Sequence, residues 1–119
     1  MSSHHQIFVR QEDAEREFPV DVAAASGTVL NEVDDAVSEE IAYAGTTENT
    51  AVEIELSHDF EDDYGIPFSA YPMIVTIRDL DRDLERQESL ARDVYGRLGA
   101  LGGYSLLLVF DLSTLLERS

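Results

Sequence analysis

The sequence contains no cysteine and no lysine, and each absence excludes a class of chemistry. Without cysteine the chain forms no disulfide, offers no thiolate nucleophile and builds no cysteine-ligated metal site. All eight basic residues are arginine, against 25 aspartates and glutamates, which gives a formal net charge of −17. Because proteins bind nucleic-acid backbones by neutralising phosphates with Lys and Arg, this balance argues against direct nucleic-acid binding.

Long apolar runs are also missing. No stretch approaches the ~20 consecutive apolar residues of a transmembrane helix, so we expect no membrane partner. The first residues lack a basic region followed by an apolar run, so we expect no signal peptide. The predicted location is therefore the cytoplasm or a virion.

The acidic residues are spread along the whole chain and do not form an acidic tail. This pattern resembles the proteome-wide bias of salt-in halophilic archaea. At molar salt the Debye length is about 3 Å, so the self-repulsion of such a chain is largely screened. We therefore predict a protein of a haloarchaeon, with its high-salt cytosol, or of a virus that infects one. An acidic mimic of nucleic acid is the alternative, and it would concentrate its charge on one face.

The strongest local pattern lies between residues 79 and 111. Apolar residues recur there on one side of a helix: Leu80, Leu84, Leu90, Ala91, Val94, Tyr95, Leu98 and Leu101. Such a stripe predicts an amphipathic helix. Asp79 or Asp81 would cap it, because a short carboxylate accepts hydrogen bonds from the free N–H groups of a first turn. Gly102 and Gly103 would end it.

The remaining elements are shorter. Alternation of apolar and polar residues predicts strands over 6–10, 51–57 and 71–78, and Pro19 and Gly27 bracket a short helix over 19–26. Residues 112–118 are expected to add a helical turn or two.

The segment 28–44 has two interpretations. In the favoured one, residues 39–44 pair with 50–57 as a hairpin around 45–49. In the other, a long helix covers 28–43. We predict one domain over 1–119 with an α+β fold. Its expected form is a two-layer sandwich of a mainly antiparallel sheet and two helices, ferredoxin-like in layout.

The strand predicted over 104–111 is apolar on both faces. A two-layer domain covers only one of them. Leu107 and Val109 would lie on the uncovered face, joined by Phe8 and Ile74. Because contiguous exposed apolar surface generally marks an interface, these four residues predict contact with a second copy or a protein partner. Alternatively, the protein's own tail at 112–116, or the segment 28–44, covers this face.

The loop after residue 57 carries a cluster of polar groups. His58, Asp59, Glu61 and Asp63 are a weak candidate for a metal site with mainly oxygen ligands. Their spacing does not match an EF-hand loop, and clustered carboxylates arise by chance in so acidic a chain. We expect a solvated loop, at most adventitious cations and no cofactor. An enzyme centred on these residues would need them to converge on a pocket lined by two aromatic residues, Phe68 and Tyr71.

These observations favour a non-enzymatic protein–protein interaction or assembly module acting through sheet-face or edge contacts. A virion head–tail or tail-completion subunit is one concrete form of it. One alternative is an antitoxin- or immunity-like binder, which predicts a one-sided acidic surface with an apolar centre. The other is a small metal-dependent enzyme centred on the loop from His58 to Asp63.

Overall fold

The computed structural model describes residues 3–119 and confirms the predicted α+β class, with two helices and one seven-stranded antiparallel sheet. The elements are β1 (His5–Gln11), α1 (Phe18–Ser26), β2 (Asn31–Glu32), β3 (Tyr43–Thr46), β4 (Thr50–Glu55), β5 (Met73–Asp79), α2 (Leu84–Leu101), β6 (Tyr104–Phe110) and β7 (Thr114–Arg118), with a short 3-10 helix at Phe68–Ala70. The strands lie in the order β2-β3-β4-β5-β1-β6-β7. The predicted ferredoxin-like layout is not confirmed, because β2 and β3 extend the sheet at one edge and β7 at the other.

Strand β1 lies inside the sheet, between β5 and β6. Ile7 is opposite Val75 and Leu108, whereas Phe8 is opposite Ile74 and Leu107. Because successive side chains of a strand point to opposite faces, Ile7 and Phe8 enter two different cores. This alternation is the one predicted from the sequence.

The first core lies between the sheet and the two helices. It contains Ile7, Val9, Phe18, Val22, Ala25, Val52, Ile54, Val75, Ile77, Ala91, Val94, Leu98, Tyr104, Leu106 and Leu108. Helix α1 ends at Gly27, whose φ of 65° suits the left-handed residue after a helix. Helix α2 begins after Asp83, whose carboxylate accepts a hydrogen bond from the backbone N–H of Arg86.

The predicted start of α2 is therefore too early. Asp79 still belongs to β5, and a turn separates it from the helix. Leu80 and Leu84, expected in the buried stripe, are 46% and 47% exposed. Arg82 in this turn has a φ of 61°, a conformation that a helix cannot contain.

The second face of the sheet is covered by the protein's own chain. The covering side chains come from the β4–β5 loop and from the C-terminal hairpin: Ile66, Phe68, Tyr71, Leu112 and Leu115. Beneath them Phe8, Leu107 and Val109 are 0% exposed and Ile74 is 1% exposed. The exposed interface predicted from these four residues is therefore wrong, since they form a second core. The alternative cover by the tail is partly right, but the main cover is the β4–β5 loop, which the sequence did not indicate as cover for this face. Because the loop and the hairpin cover the second face of the sheet, the predicted two-layer sandwich is not confirmed.

The hairpin interpretation of 28–44 is confirmed, with a shorter first strand. Tyr43 pairs with Ile54 and Thr46 with Ala51. The preceding chain crosses β3 closely, because a Cβ atom added at Gly45 would lie 2.0 Å from the carbonyl oxygen of Val29. Only glycine leaves room for this crossing.

The C-terminal segment is a strand where helical turns were predicted. Asp111 and Leu112 have φ values of 54° and 60°, and the N–H of Ser113 donates to the carbonyl oxygen of Phe110. Two successive residues with positive φ reverse the chain into the type of turn that joins antiparallel strands. The N–H of Leu112 also donates to the side-chain oxygen of Gln6, at 3.2 Å. These turn residues are not glycines, so the usual sequence signal of a hairpin is missing.

Candidate functional site

Both ring nitrogens of His58 are occupied by hydrogen bonds within the chain. The backbone N–H of Phe60 donates to Nδ1 at 3.0 Å, and Nε2 lies 2.6 Å from the carbonyl oxygen of Tyr71. Because a carbonyl only accepts and a backbone N–H only donates, the ring carries its proton on Nε2. Neither nitrogen then offers a free lone pair to a metal ion.

The four predicted metal ligands do not converge. His58 and Asp59 line one surface depression, Asp63 lines another, and Glu61 lines neither. The aromatic side chains that a shared pocket would need are buried in the second core. Between residues 3 and 119, no three His, Asp or Glu side chains are placed to hold a metal ion. The metal site predicted at these four positions is therefore not formed.

An acidic depression of about 520 Å³ lies beside His58, and the sequence did not predict it. Glu39, Glu40 and Glu55 line it from two segments that the β3–β4 hairpin brings together. Burial and then the neighbouring carboxylate of Glu40 raise the pKa of Glu55. Nothing besides this accumulation of charge indicates a ligand there.

A second depression, the β5–α2 pocket, differs from the acidic one in its charge. It has a volume of about 360 Å³ and is lined by Ser3, His4, Arg78, Asp79, Leu80, Arg82, Leu84 and Gln87. It therefore contains two of the eight arginines of the chain. No sequence motif marks this pocket, because its residues come from two distant stretches of the chain, 3–4 and 78–87.

The one carboxylate that lines this pocket is neutralised from within. Asp79 accepts hydrogen bonds from two guanidinium nitrogens of Arg86, at 2.6 and 3.0 Å, and from the backbone N–H groups of Asp81 and Asp83. The hydrogen bonds from Arg86 hold the pKa of Asp79 at about 2. This carboxylate is thus fully engaged and structural.

A buried polar network ties β1 to α2 beside the pocket. The side-chain amide of Gln87 accepts from the backbone N–H of Asp79 and donates to the carbonyl oxygen of Ser3, and its nitrogen lies 2.7 Å from Nδ1 of His5. Because that amide nitrogen is a donor, His5 carries its proton on Nε2. Burial lowers the pKa of His5, partly opposed by Glu88, so this imidazole is neutral at pH 7.

The two ends of the sheet differ in how they are closed. On the β2–β3 side the chain at Val29 crosses Gly45, and β2 has only two residues. On the other side β7 is the last strand, has five residues and pairs only with β6. Within the described chain, β7 is therefore the longer open edge.

The backbone groups of β7 alternate in direction. The N–H of Ser119 donates to the carbonyl oxygen of Leu106, so Ser119 points toward β6. Since backbone groups of neighbouring residues point to opposite sides of a strand, those of Arg118 point away from the sheet. A β-bulge at Leu116 interrupts the register, because Leu115 is opposite Val109 and Glu117 is opposite Leu108.

Comparisons with known proteins assign no family to this chain. No protein-family model matches it, and neither the curated proteins nor the solved structures contain a significant match. Among residues 3–119, no helix combines the length and the apolar character that crossing a bilayer requires.

Proposed function

We propose that this protein is a non-enzymatic interaction module that self-associates through the open edge of β7. The observation that carries the proposal is the five-residue edge strand with backbone groups directed away from the sheet. Unpaired N–H and C=O groups at an edge are a template for pairing with another strand. The inner strands β4-β5-β1-β6 form, in this proposal, a ferredoxin-like core that presents the edge.

A second copy is the partner that best fits this edge. A two-fold interface uses the same surface on both subunits, and the backbone of an antiparallel edge strand is complementary to itself. The side chains of β7 add to this fit. Leu115 and Leu116 are half-buried within one subunit, so a neighbouring strand would cover more of their apolar surface.

The net charge makes the proposed association depend on salt. Two chains of −17 repel one another when the Debye length is about 10 Å, at 0.1 M salt. At molar salt this repulsion is screened over about 3 Å, and short-range backbone pairing can hold two copies together. A high-salt cytosol or virion, the habitat that the composition predicts, is therefore part of the proposal.

The experiment compares two substitutions at Arg118. Proline removes the outward N–H without removing a bond to β6, and its ring blocks close approach of a strand. Glutamine removes the same positive charge and keeps the N–H. In light scattering after size-exclusion chromatography in ~3 M KCl, we expect a dimer for the wild type and Arg118→Gln, and a monomer for Arg118→Pro.

The outcomes separate this proposal from its competitors. A wild-type monomer in molar salt overturns self-association, and a dimer that Arg118→Pro leaves intact overturns its assignment to the β7 edge. Circular dichroism of Arg118→Pro shows whether the subunit itself keeps its fold. A dimer lost equally in both variants would assign the contact to the guanidinium and not to strand pairing.

The two other candidate functions have less support. An antitoxin- or immunity-like binder needs an exposed apolar centre, and the residues expected there are buried in the second core. A metal-dependent enzyme needs the ligands of the His58–Asp63 loop to converge, and they line separate depressions.

A further inference from the structure

We propose that the β5–α2 pocket binds a small anion, a carboxylate or a phosphate, that carries an apolar group. The two arginines of the pocket would bind the anionic group, and its exposed leucines would contact the apolar group. The site does not involve β7, so this inference stands or fails independently of self-association.

The pocket carries excess positive charge although the protein carries −17. Asp79 is neutralised by Arg86, and Arg78 makes one contact of 3.2 Å with Glu53. Arg82 makes no ion pair with any residue of the described chain. Guanidinium groups present several donors in a planar fork, the geometry that carboxylates and phosphates accept.

Two polar atoms at the pocket are screened from solvent and have no hydrogen-bond partner among residues 3–119. They are Nε of Arg78 and Nε2 of His4. Buried polar groups are normally paired, and an unpaired one destabilises the fold. An anion that enters between these two side chains would satisfy the N–H of Arg78, which can only donate.

The apolar part of the ligand follows from the leucines. Leu80 and Leu84 are nearly half exposed at the pocket, although leucine is normally a buried residue. A volume of about 360 Å³ lies within the range of small-molecule sites. A bare ion would leave these leucines in water, whereas an aromatic or short aliphatic group would cover them.

Arg82 has a backbone conformation that long side chains rarely adopt. Its φ of 61° places a long side chain in the left-handed region, which favours glycine. Strained residues persist where the surrounding structure requires them, and they cluster at ligand sites. Because Tyr64, Asp111 and Leu112 also have positive φ, this strain supports the site only together with the charges and unpaired atoms of the pocket.

The probes are benzoate, phenyl phosphate and the uncharged benzyl alcohol, added to the ¹⁵N-labelled full-length chain in about 1 M KCl, where the long-range charge of the protein is screened. Amide chemical shifts report both the site and the affinity. We expect benzoate and phenyl phosphate to shift the amides from Asp79 to Leu84, and benzyl alcohol to bind at least about tenfold more weakly. The tighter anion then identifies the carboxylate or the phosphate as the preferred group.

The decisive variant is Arg82→Gly. It should weaken anion binding about tenfold, because it removes a charge-assisted contact, and it should also stabilise the fold, because glycine adopts positive φ without strain. A purely structural arginine would not show this opposition between affinity and stability. Arg10→Gln, which removes a partly exposed positive charge on β1, is the control and should leave affinity unchanged.

Four results would overturn the proposal. They are equal binding of benzyl alcohol and benzoate, shifts that map outside the pocket, unchanged affinity in Arg82→Gly, and absence of binding by both anions.

Discussion

At the scale of single residues, Asp79 shows how one buried carboxylate organises a turn. It accepts four hydrogen bonds, two from Arg86 and two from backbone N–H groups ahead of α2. The sequence predicted Asp79 or Asp81 as the helix cap, yet the cap is Asp83. These aspartates all precede the apolar stripe of the helix, so local spacing could not distinguish them. The choice depends on where β5 ends, and that is set by its pairing with β4.

Replacing Asp79 by Asn should lower the free energy of unfolding at pH 7 by about 2 kcal/mol, because a pKa of about 2 against an ordinary 3.8 corresponds to that energy. A carboxyl whose pKa is lower in the folded than in the unfolded protein stabilises the fold at any pH above its unfolded pKa. This contribution is lost as the pH falls through the folded pKa. Wild type and variant should therefore converge between about pH 4 and pH 2. Chemical denaturation at pH 7 and at about pH 2.5 measures the difference in free energy of unfolding between wild type and variant.

Asp81→Asn is the matched control. Asp81 contacts the same guanidinium at 3.1 Å but is largely exposed, so we expect a loss below about 0.5 kcal/mol. Equal effects of the two substitutions would contradict the central position of Asp79.

Alanine substitutions at two glycines test the packing around single residues. Gly45→Ala should destabilise the fold by about 2 kcal/mol or more, because its Cβ atom would clash with the backbone of Val29, which must move. Gly96→Ala, inside α2 with no atom within 4 Å of the added Cβ, should stabilise by about 0.5–1 kcal/mol. Thermal unfolding of both variants gives the comparison, and a stabilising Gly45→Ala would show that the crossing is not close.

At the scale of elements, the strands were predicted best. β1, β5 and β6 alternate between the two cores, whereas β4 alternates between residues of the first core and polar residues such as Glu53 and Glu55. Both patterns are visible in the sequence itself. β7 was missed because its turn uses Asp111 and Leu112 where glycine or asparagine is expected. The cover of the second face was missed for a different reason, since the β4–β5 loop shows no periodicity that indicates where it folds.

The turn before β7 allows a test at Leu112. Both Leu112→Ala and Leu112→Gly lose the contact of the leucine with the second core, but only glycine is free of strain at a φ of 60°. We expect Leu112→Gly to be more stable than Leu112→Ala by about 1 kcal/mol. Denaturation in urea measures the difference, and the reverse order would contradict the left-handed conformation.

At the scale of the whole molecule, charge and shape act together. The radius of gyration is 13.2 Å, close to the ~13.5 Å expected for a folded chain of 119 residues. A net charge of −17 on so small a body favours expansion through self-repulsion. In the acidic depression, the carboxylates of Glu39, Glu40 and Glu55 repel one another at short range.

Salt should therefore stabilise the fold. Between 0.1 and ~3 M KCl we expect the melting temperature to rise by roughly 10 °C, as the Debye length falls from about 10 Å to below about 3 Å. Scanning calorimetry measures the shift. Sucrose at the same osmolality is the control, because it stabilises by exclusion from the surface and screens no charge. An equal shift in sucrose would contradict the electrostatic explanation.

The position of β1 has a consequence for how the protein is made. This strand is flanked by β5 and β6, so one side of it stays unpaired until a segment about a hundred residues later in the chain has been synthesised. Contacts between residues so distant in sequence form slowly. Until they form, an apolar strand with one unpaired edge promotes aggregation with other chains. Ribosome-bound chains that stop before Tyr104 should therefore need a chaperone to remain in solution, whereas the completed chain closes β1 by itself.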